Sequence, residues 1–111
     1  MTDAAKIQKI KTSLLAIEQE LKNLSLWSYG RGKPIDSAFE SVTPFCMDTM
    51  EFNQWLEFVL IPKMKEILKE QRKLPENVLI HTYAQEIYRG RWQEYKELIK
   101  ILMEFDKIFS K

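Results

Sequence analysis

PFCMDTMEFNQWLEFVLIPKMKEILKEQRK, residues 44–73, reads as the central helix of a small all-α domain. Its apolar residues recur at Phe52, Trp55, Leu56, Val59, Leu60, Met64, Ile67 and Leu68. This is the i, i+3, i+4, i+7 spacing that gives a helix one broad buried stripe. Asp48 and Glu51 have the spacing of a capping box, with Asp48 or Thr49 accepting from the free N–H groups of the first turn. Acids (Asp48, Glu51, Glu57) come early and bases (Lys63, Lys65, Lys69, Arg72, Lys73) come late, which suits the helix dipole. Pro62 is the exception. Inside a helix it removes the bond to the carbonyl of Phe58 and crowds that turn, at a cost of about 3 kcal/mol. Two outcomes are open: a kink, or a helix that ends near Leu60 with another beginning at Pro62. The kink is favoured, because the apolar stripe keeps its phase across the proline.

With 111 residues the chain is expected to form one helical domain over 1–111, long enough for a core without disulfides or metal. A content of 45% hydrophobic and 30% charged residues fits a folded helical protein rather than a disordered one. The net charge of +1 argues against a strongly electrostatic partner such as bulk duplex DNA. Cys46 is the sole cysteine, so no internal disulfide forms. The N-terminal sequence lacks the apolar core of a signal peptide, and no apolar run approaches the ~20 residues needed to span a bilayer. A cytoplasmic location is expected, without membrane association.

Upstream, residues 3–25 read as a first helix about 33 Å long. Ile7, Ile10, Leu14, Ile17, Leu21 and Leu24 form a narrow apolar seam along it. That seam packs on the central helix or joins a second copy of the chain; intramolecular packing is favoured, since a lone helix cannot bury its stripe. Residues 27–43 (WSYGRGKPIDSAFESVT) form a long loop between the first two helices, broken by Gly30, Gly32 and Pro34. Laid over the helix ends, it tucks Trp27 and Phe39 inward; alternatively it is a recognition loop. Downstream, Pro75 ends the central helix. Residues 77–89 give a short helix stopped by Gly90, and a last helix runs over about 91–109. Its apolar face holds Trp92, Tyr95, Leu98, Ile99, Leu102, Phe105, Ile108 and Phe109. The expected architecture is an all-α bundle of about four helices with a proline-kinked central member.

Ser41, Pro44-Phe45, Asp48-Thr49-Met50, Phe52, Gln54-Trp55-Leu56, Val59 and Ile61-Pro62-Lys63-Met64 closely resemble the YqcC-like family of small bacterial proteins. Leu14, Ile17-Glu18, Leu21 and Trp27 upstream, and Leu74-Pro75 and Tyr83 downstream, extend the resemblance over most of the chain. It implies an all-α fold of about four helices and a proteobacterial, cytosolic origin. Family members are often labelled after tRNA pseudouridine synthase C, whose gene neighbours theirs. The family has no established activity, so no catalytic residue is carried across. Lys63 stands where relatives tend to have arginine, which keeps the charge but loses the bidentate fork.

No catalytic, cofactor or metal constellation emerges. Pseudouridine synthases resemble one another in an aspartate nucleophile on a much larger α/β domain, whereas this chain is short and offers Asp3, Asp36, Asp48 and Asp106. His81 is the sole histidine and lies five residues from Glu86, on a different helical face. Cys46, Met47 and Met50 are soft ligands by type but serve better as hydrophobic filling. Gly30-Arg31-Gly32 lacks the spacing of a phosphate-binding loop. Lys63, Lys65, Lys69, Arg72 and Lys73, with Arg89, Arg91, Tyr88, Trp92 and Tyr95, supply the basic and aromatic mix of an RNA-binding surface. A solvated face is the simpler account, because Trp92 and Tyr95 fit the core stripe.

The sequence therefore points to a non-enzymatic binding or accessory module whose partner is a protein or RNA, a pseudouridine synthase or tRNA. Its candidate surface is Trp27, Tyr29, Arg31, Lys33, Asp48, Gln54, Trp55, Lys63 and Tyr83. The alternatives are a small-molecule binder or enzyme with an aromatic pocket between Trp55, Tyr83 and the loop, an RNA-binding module, and a homo-oligomer joined through the first-helix seam.

Overall fold

The computed structural model describes residues 4–31, 33–76 and 78–109. Asp3, Gly32 and Asn77, which figure in the sequence reading, lie outside them. Helices are α1 (Ala4–Asn23), α2 (Phe52–Trp55), α3 (Ile61–Lys69), α4 (Ile80–Ile87) and α5 (Trp92–Phe109). Because α2 and α3 are joined by a π-helical stretch, Leu56–Leu60, they form one central helix. The architecture is a bundle of four helices, and no strand occurs among the described residues.

The central helix answers the question raised by Pro62. Its backbone stays helical at Trp55, Leu56, Leu60 and Ile61, and the N–H of Ile61 reaches the carbonyl of Leu56, five residues back. Pro62 follows at once, in the first turn of α3, where its missing N–H is not needed. The irregularity is thus a widened turn. It also serves the packing. Phe52, Leu56, Leu60 and Met64 are four apart, and each step of four overshoots a regular helical turn by about 40°. A turn with more residues offsets part of that drift, and all four side chains are buried.

Both ends of this helix differ from the sequence reading. The capping box is Glu51 with Gln54, three residues beyond Asp48 with Glu51: the Gln54 side chain accepts from the Glu51 N–H at 2.7 Å. Asp48 instead accepts from the Ser41 hydroxyl at 2.5 Å, which commits it to the preceding loop. At the other end the helix stops at Lys69, ahead of Pro75. Gln71 turns left-handed (φ 54°), and the N–H of Arg72 closes on the carbonyl of Ile67 at 3.0 Å. The same closure ends α1. Ser25 has φ 61°, its N–H bonds Lys22, and the N–H of Leu26 bonds Leu21 at 2.8 Å. This is the Schellman arrangement with serine in the place usually held by glycine.

Helix α5 runs through the middle of the bundle, flanked by α1 and α4. The α1 seam packs within the chain, on α5, rather than on the central helix as first expected: Ile10, Leu14, Ile17 and Leu21 are buried. From α5, Tyr95, Leu98, Ile99, Leu102, Phe105 and Phe109 face inward. Trp92 does not. It is 54% exposed, and its indole N–H donates to the carbonyl of Gln85 at 2.8 Å, laying the ring across the turn from α4. Tyr88 and Tyr95 stack at 3.8 Å with planes 8° apart beneath that turn, and burial pushes the Tyr88 hydroxyl well above its ordinary pKa. Gly90 in the turn has φ 83°, as its reading as a helix stop requires.

The long loop has local structure of its own, two 3-10 turns at Asp36–Glu40 and Pro44–Cys46. Ala38, Cys46 and Met50 pack there as a small satellite of the main core. Leu102 is fully buried and Leu15, on α1, is 66% exposed. Leu102→Ala is expected to cost about 3 kcal/mol and Leu15→Ala to stay within about 0.5 kcal/mol, both read from urea unfolding.

Candidate functional site

The polar groups that shape the candidate surface start with Glu57. Its side chain lies in the π-helical stretch among Leu56, Phe58 and Val59, and the residue is buried. A carboxylate in such a place needs donors. Three come from the loop: the Ser28 N–H at 3.0 Å, the Ser28 hydroxyl at 2.8 Å and the Gly30 N–H at 3.3 Å. They converge because residues 28–31 form a tight turn, closed by the Arg31 N–H on the Ser28 carbonyl at 3.1 Å. Tyr29 (φ 58°) and Gly30 (φ 84°) are both left-handed, which matches a type I′ turn. Loop and central helix are thereby fastened at one carboxylate.

This fastening places the first group of predicted residues. Trp27 is half-buried against the core, whereas Tyr29 is 70% exposed. The Lys22 ammonium lies 5.9 Å from the Trp27 ring and 5.5 Å from the Tyr29 ring, and its hydrogen bond to Glu18 raises its pKa. Arg31 and Lys33 are exposed, with the Lys33 ammonium 5.9 Å from the half-buried Phe39 ring.

A second group gathers at the start of the central helix. The Phe45 ring sits 4.8 Å from Trp55 and 4.2 Å from Tyr83, and Phe52 stacks with Trp55 at 6.2 Å. Phe45 thus fills the space between Trp55 and Tyr83 that the sequence reading offered to a ligand. Phe45 (φ 58°) and Cys46 (φ 52°) take left-handed backbone, uncommon for these types, and that bend accompanies the placement of the ring. Gln54 is engaged in the capping box. Cys46 and Met50 fill the satellite core, while Met47 packs against the main one. Asp48 is exposed, and its bond from Ser41 holds the carboxyl below its ordinary pKa. Lys63 is exposed on α3. The predicted surface therefore resolves into a loop group, an aromatic group and two isolated charges.

His81 has a partner that sequence spacing missed. Its Nδ1 lies 2.7 Å from Oδ2 of Asp106 on α5, and its backbone N–H donates to the same oxygen at 2.7 Å. Asp106 is buried and caps α4 from a neighbouring helix, where the local N-cap, Leu79, offers no side-chain acceptor. Its Oδ1 has no hydrogen-bond partner. The pair ties α4 to α5. The basic groups around the α4–α5 turn are similarly engaged. Arg89 pairs with Glu86 at 2.7 Å, and Arg91 with Glu94 at 2.9 Å, which raises the Arg91 pKa. Among the described residues no three of His, Cys, Asp and Glu cluster as a metal site would need. Within them, too, no helix is long and apolar enough to cross a membrane.

The arrangement defines a small helical bundle in which buried acids fasten elements together. A family model described as tRNA pseudouridine synthase C matches residues 9–108, and the chain belongs to that family, the one that includes protein YqcC. The uncharacterised protein YqcC of Escherichia coli K12 is 30% identical over 102 residues, covering 92% of each chain. An uncharacterised protein of Haemophilus influenzae is 30% identical over 100 residues, 90% of this chain and 92% of that one. The solution NMR structure of Escherichia coli YqcC superposes with a TM-score of 0.82 at 28% identity, over 94% of this chain and 87% of that one. A Pectobacterium carotovorum protein named tRNA pseudouridine synthase C is 30% identical over 83 residues. The match takes in 75% of this chain but 22% of that longer protein.

Glu57→Ala is expected to cost about 2 kcal/mol, since it leaves the turn's donors without their acceptor. It should also raise hydrogen exchange at the Ser28 and Gly30 amides far more than at Leu98 in α5. Asp106→Ala is expected to cost a similar amount, about 2 kcal/mol, and to fray α4 selectively.

Proposed function

We propose that this chain is a non-catalytic helical accessory module that binds a pseudouridine synthase acting on tRNA, in the bacterial cytoplasm. The observation that carries the reading is the Pectobacterium protein. There a segment similar to most of this chain makes up 22% of a longer protein named tRNA pseudouridine synthase C. A module joined covalently to an enzyme in one protein is well placed to act beside that enzyme as a separate chain in another, because linkage replaces affinity with effective concentration.

The disposition of the acids agrees. Asp106 is spent on capping α4, Asp48 is bonded to Ser41, and Glu57 holds the loop. The rings of Trp55 and Tyr83 are packed on Phe45, which leaves a small-molecule pocket there without space. An RNA surface at the α4–α5 turn is weakened by the pairing of Arg89 and Arg91 with Glu86 and Glu94. Tyr29 and Arg31, exposed in the turn that Glu57 holds, and Lys33, exposed beyond it, remain available to a protein partner.

Purified tRNA pseudouridine synthase C from the same organism, mixed with the tagged chain, is expected to be retained, with or without tRNA. Failure to retain it under both conditions would overturn the proposal. Retention of tRNA alone, falling steeply with salt, would replace it with an RNA-binding function.

A further inference from the structure

Helix α1 and the C-terminal half of the central helix do not close on each other. Between them lies an open cleft of ≈ 810 Å³. Its apolar lining comes from Ile7, Leu14 and Leu15 of α1 and from Ile67, Leu68 and Leu74 on the opposite wall. Leu15 is 66% exposed, so a large aliphatic side chain on this lining faces water. The lining positions on α1 run from Ile7 to Glu18, about 16 Å at the helical rise, or roughly three turns.

Unpaired charge on the rim is of one sign. Lys11 stands on the α1 wall, and Lys65 and Lys69, one turn apart, stand on the other. None of the three has an acidic partner among the described residues. Glu18 is the one acid of the lining, and Lys22 neutralises it at 2.9 Å. Arg72 adds a further cation, shared with Glu66 and Glu70. No lining residue is aromatic, so nothing in the cleft offers a nucleobase a stacking surface.

We infer that this cleft is a docking groove for an acidic amphipathic helix of a partner protein. An apolar floor about three turns long accepts the i, i+3/i+4, i+7 face of such a helix. Cations on both walls match acids flanking that face on both sides. A fatty acid, with a single anionic head, leaves one wall of lysines unmatched. The inference rests on the reading of the chain as a protein-binding module, though not on which protein binds.

The test uses the full chain labelled with ¹⁵N and a synthetic helical peptide of about 15 residues, long enough to hold helix when stapled. One version carries leucines on one face flanked by glutamates, and a second replaces every glutamate with lysine. The glutamate peptide is expected to shift the amides of Leu15, Leu68 and Lys69 saturably, more weakly as salt rises, and the lysine peptide to leave them unmoved. Leu15→Glu, at an exposed position that leaves the core intact, should weaken glutamate-peptide binding by about tenfold or more. K65E/K69E should do the same while thermal unfolding stays near that of the parent. Equal binding of both peptides, shifts confined to another face, or shifts produced by dodecanoate but by neither peptide would overturn the inference. Retention of the synthase by the unaltered chain, with no saturable shift from the glutamate peptide, would dismiss the groove and leave the proposed function standing. Groove binding of the peptide without any retention of the synthase would do the reverse.

Discussion

A proline without an amide hydrogen sits inside the helix that the bundle must present as one continuous apolar side. The π-helical stretch at Leu56–Leu60 reconciles the two demands. It lets Ile61 bond five residues back and leaves Pro62 in a first turn, where no donor is called for. It also keeps Phe52, Leu56, Leu60 and Met64 inward although their spacing of four does not match a regular helix. A strict α-helix through the same residues would drift that row around the axis and strand the carbonyl of Phe58 at the proline. The widened turn is therefore what allows this sequence to pack as a rod and not as two unrelated pieces.

The same stretch holds Glu57, and its burial shows how the bundle uses acids. Taking a carboxylate from water costs several kcal/mol unless donors replace the solvent. The donors here come from a distant turn and include two backbone N–H groups, so satisfying the acid and folding the loop are one event. Asp106 works in the same manner between α5 and α4. Each acid joins elements far apart in sequence, 27 and 29 residues for Glu57 and 25 for Asp106. Such bonds add specificity of placement that apolar packing alone does not supply, since aliphatic contacts tolerate sliding.

Periodicity made the helices legible: the seam of α1 and the stripe of α5 appear in the structure nearly residue for residue. What escaped was set by contacts across the bundle. The N-cap moved from Asp48 to Glu51 because Ser41 engages Asp48 from a loop seven residues away. Trp92 left the core because a carbonyl on α4 offered its indole a partner. His81 and Asp106 lie 25 residues apart on different helices, so no spacing along one helical face encodes their pairing. One signal was present for Glu57: a lone charge within LEFVLI, where every other residue is apolar. Of the predicted surface, Tyr29, Arg31 and Lys33 are exposed and Trp27 is half-buried, while Trp55 and Tyr83 turn inward on Phe45, whose left-handed backbone no propensity scale anticipates.

The cleft beside α1 shows where this economy of burial stops. Trp92, also exposed, is held by the bond from its indole to Gln85. Here Leu15 belongs to a row, with aliphatic neighbours on a facing wall and lysines along both edges. The seam of α1 is used once, against α5, and Ile7 and Leu14 reach the cleft from the edge of that buried row. A helix has room for two such faces only if the second is covered by something else, because an aliphatic row left in water gains nothing from folding. Another cleft, of ≈ 630 Å³ between α1 and α5, is lined mostly by polar and charged residue types, with Gln8, Thr12 and Ser13 opposite Glu104, and carries no row of leucines. The two sides of α1 thus differ in kind. The wall next to Lys65 and Lys69 is built as an interface, and its chemistry specifies oil flanked by negative charge.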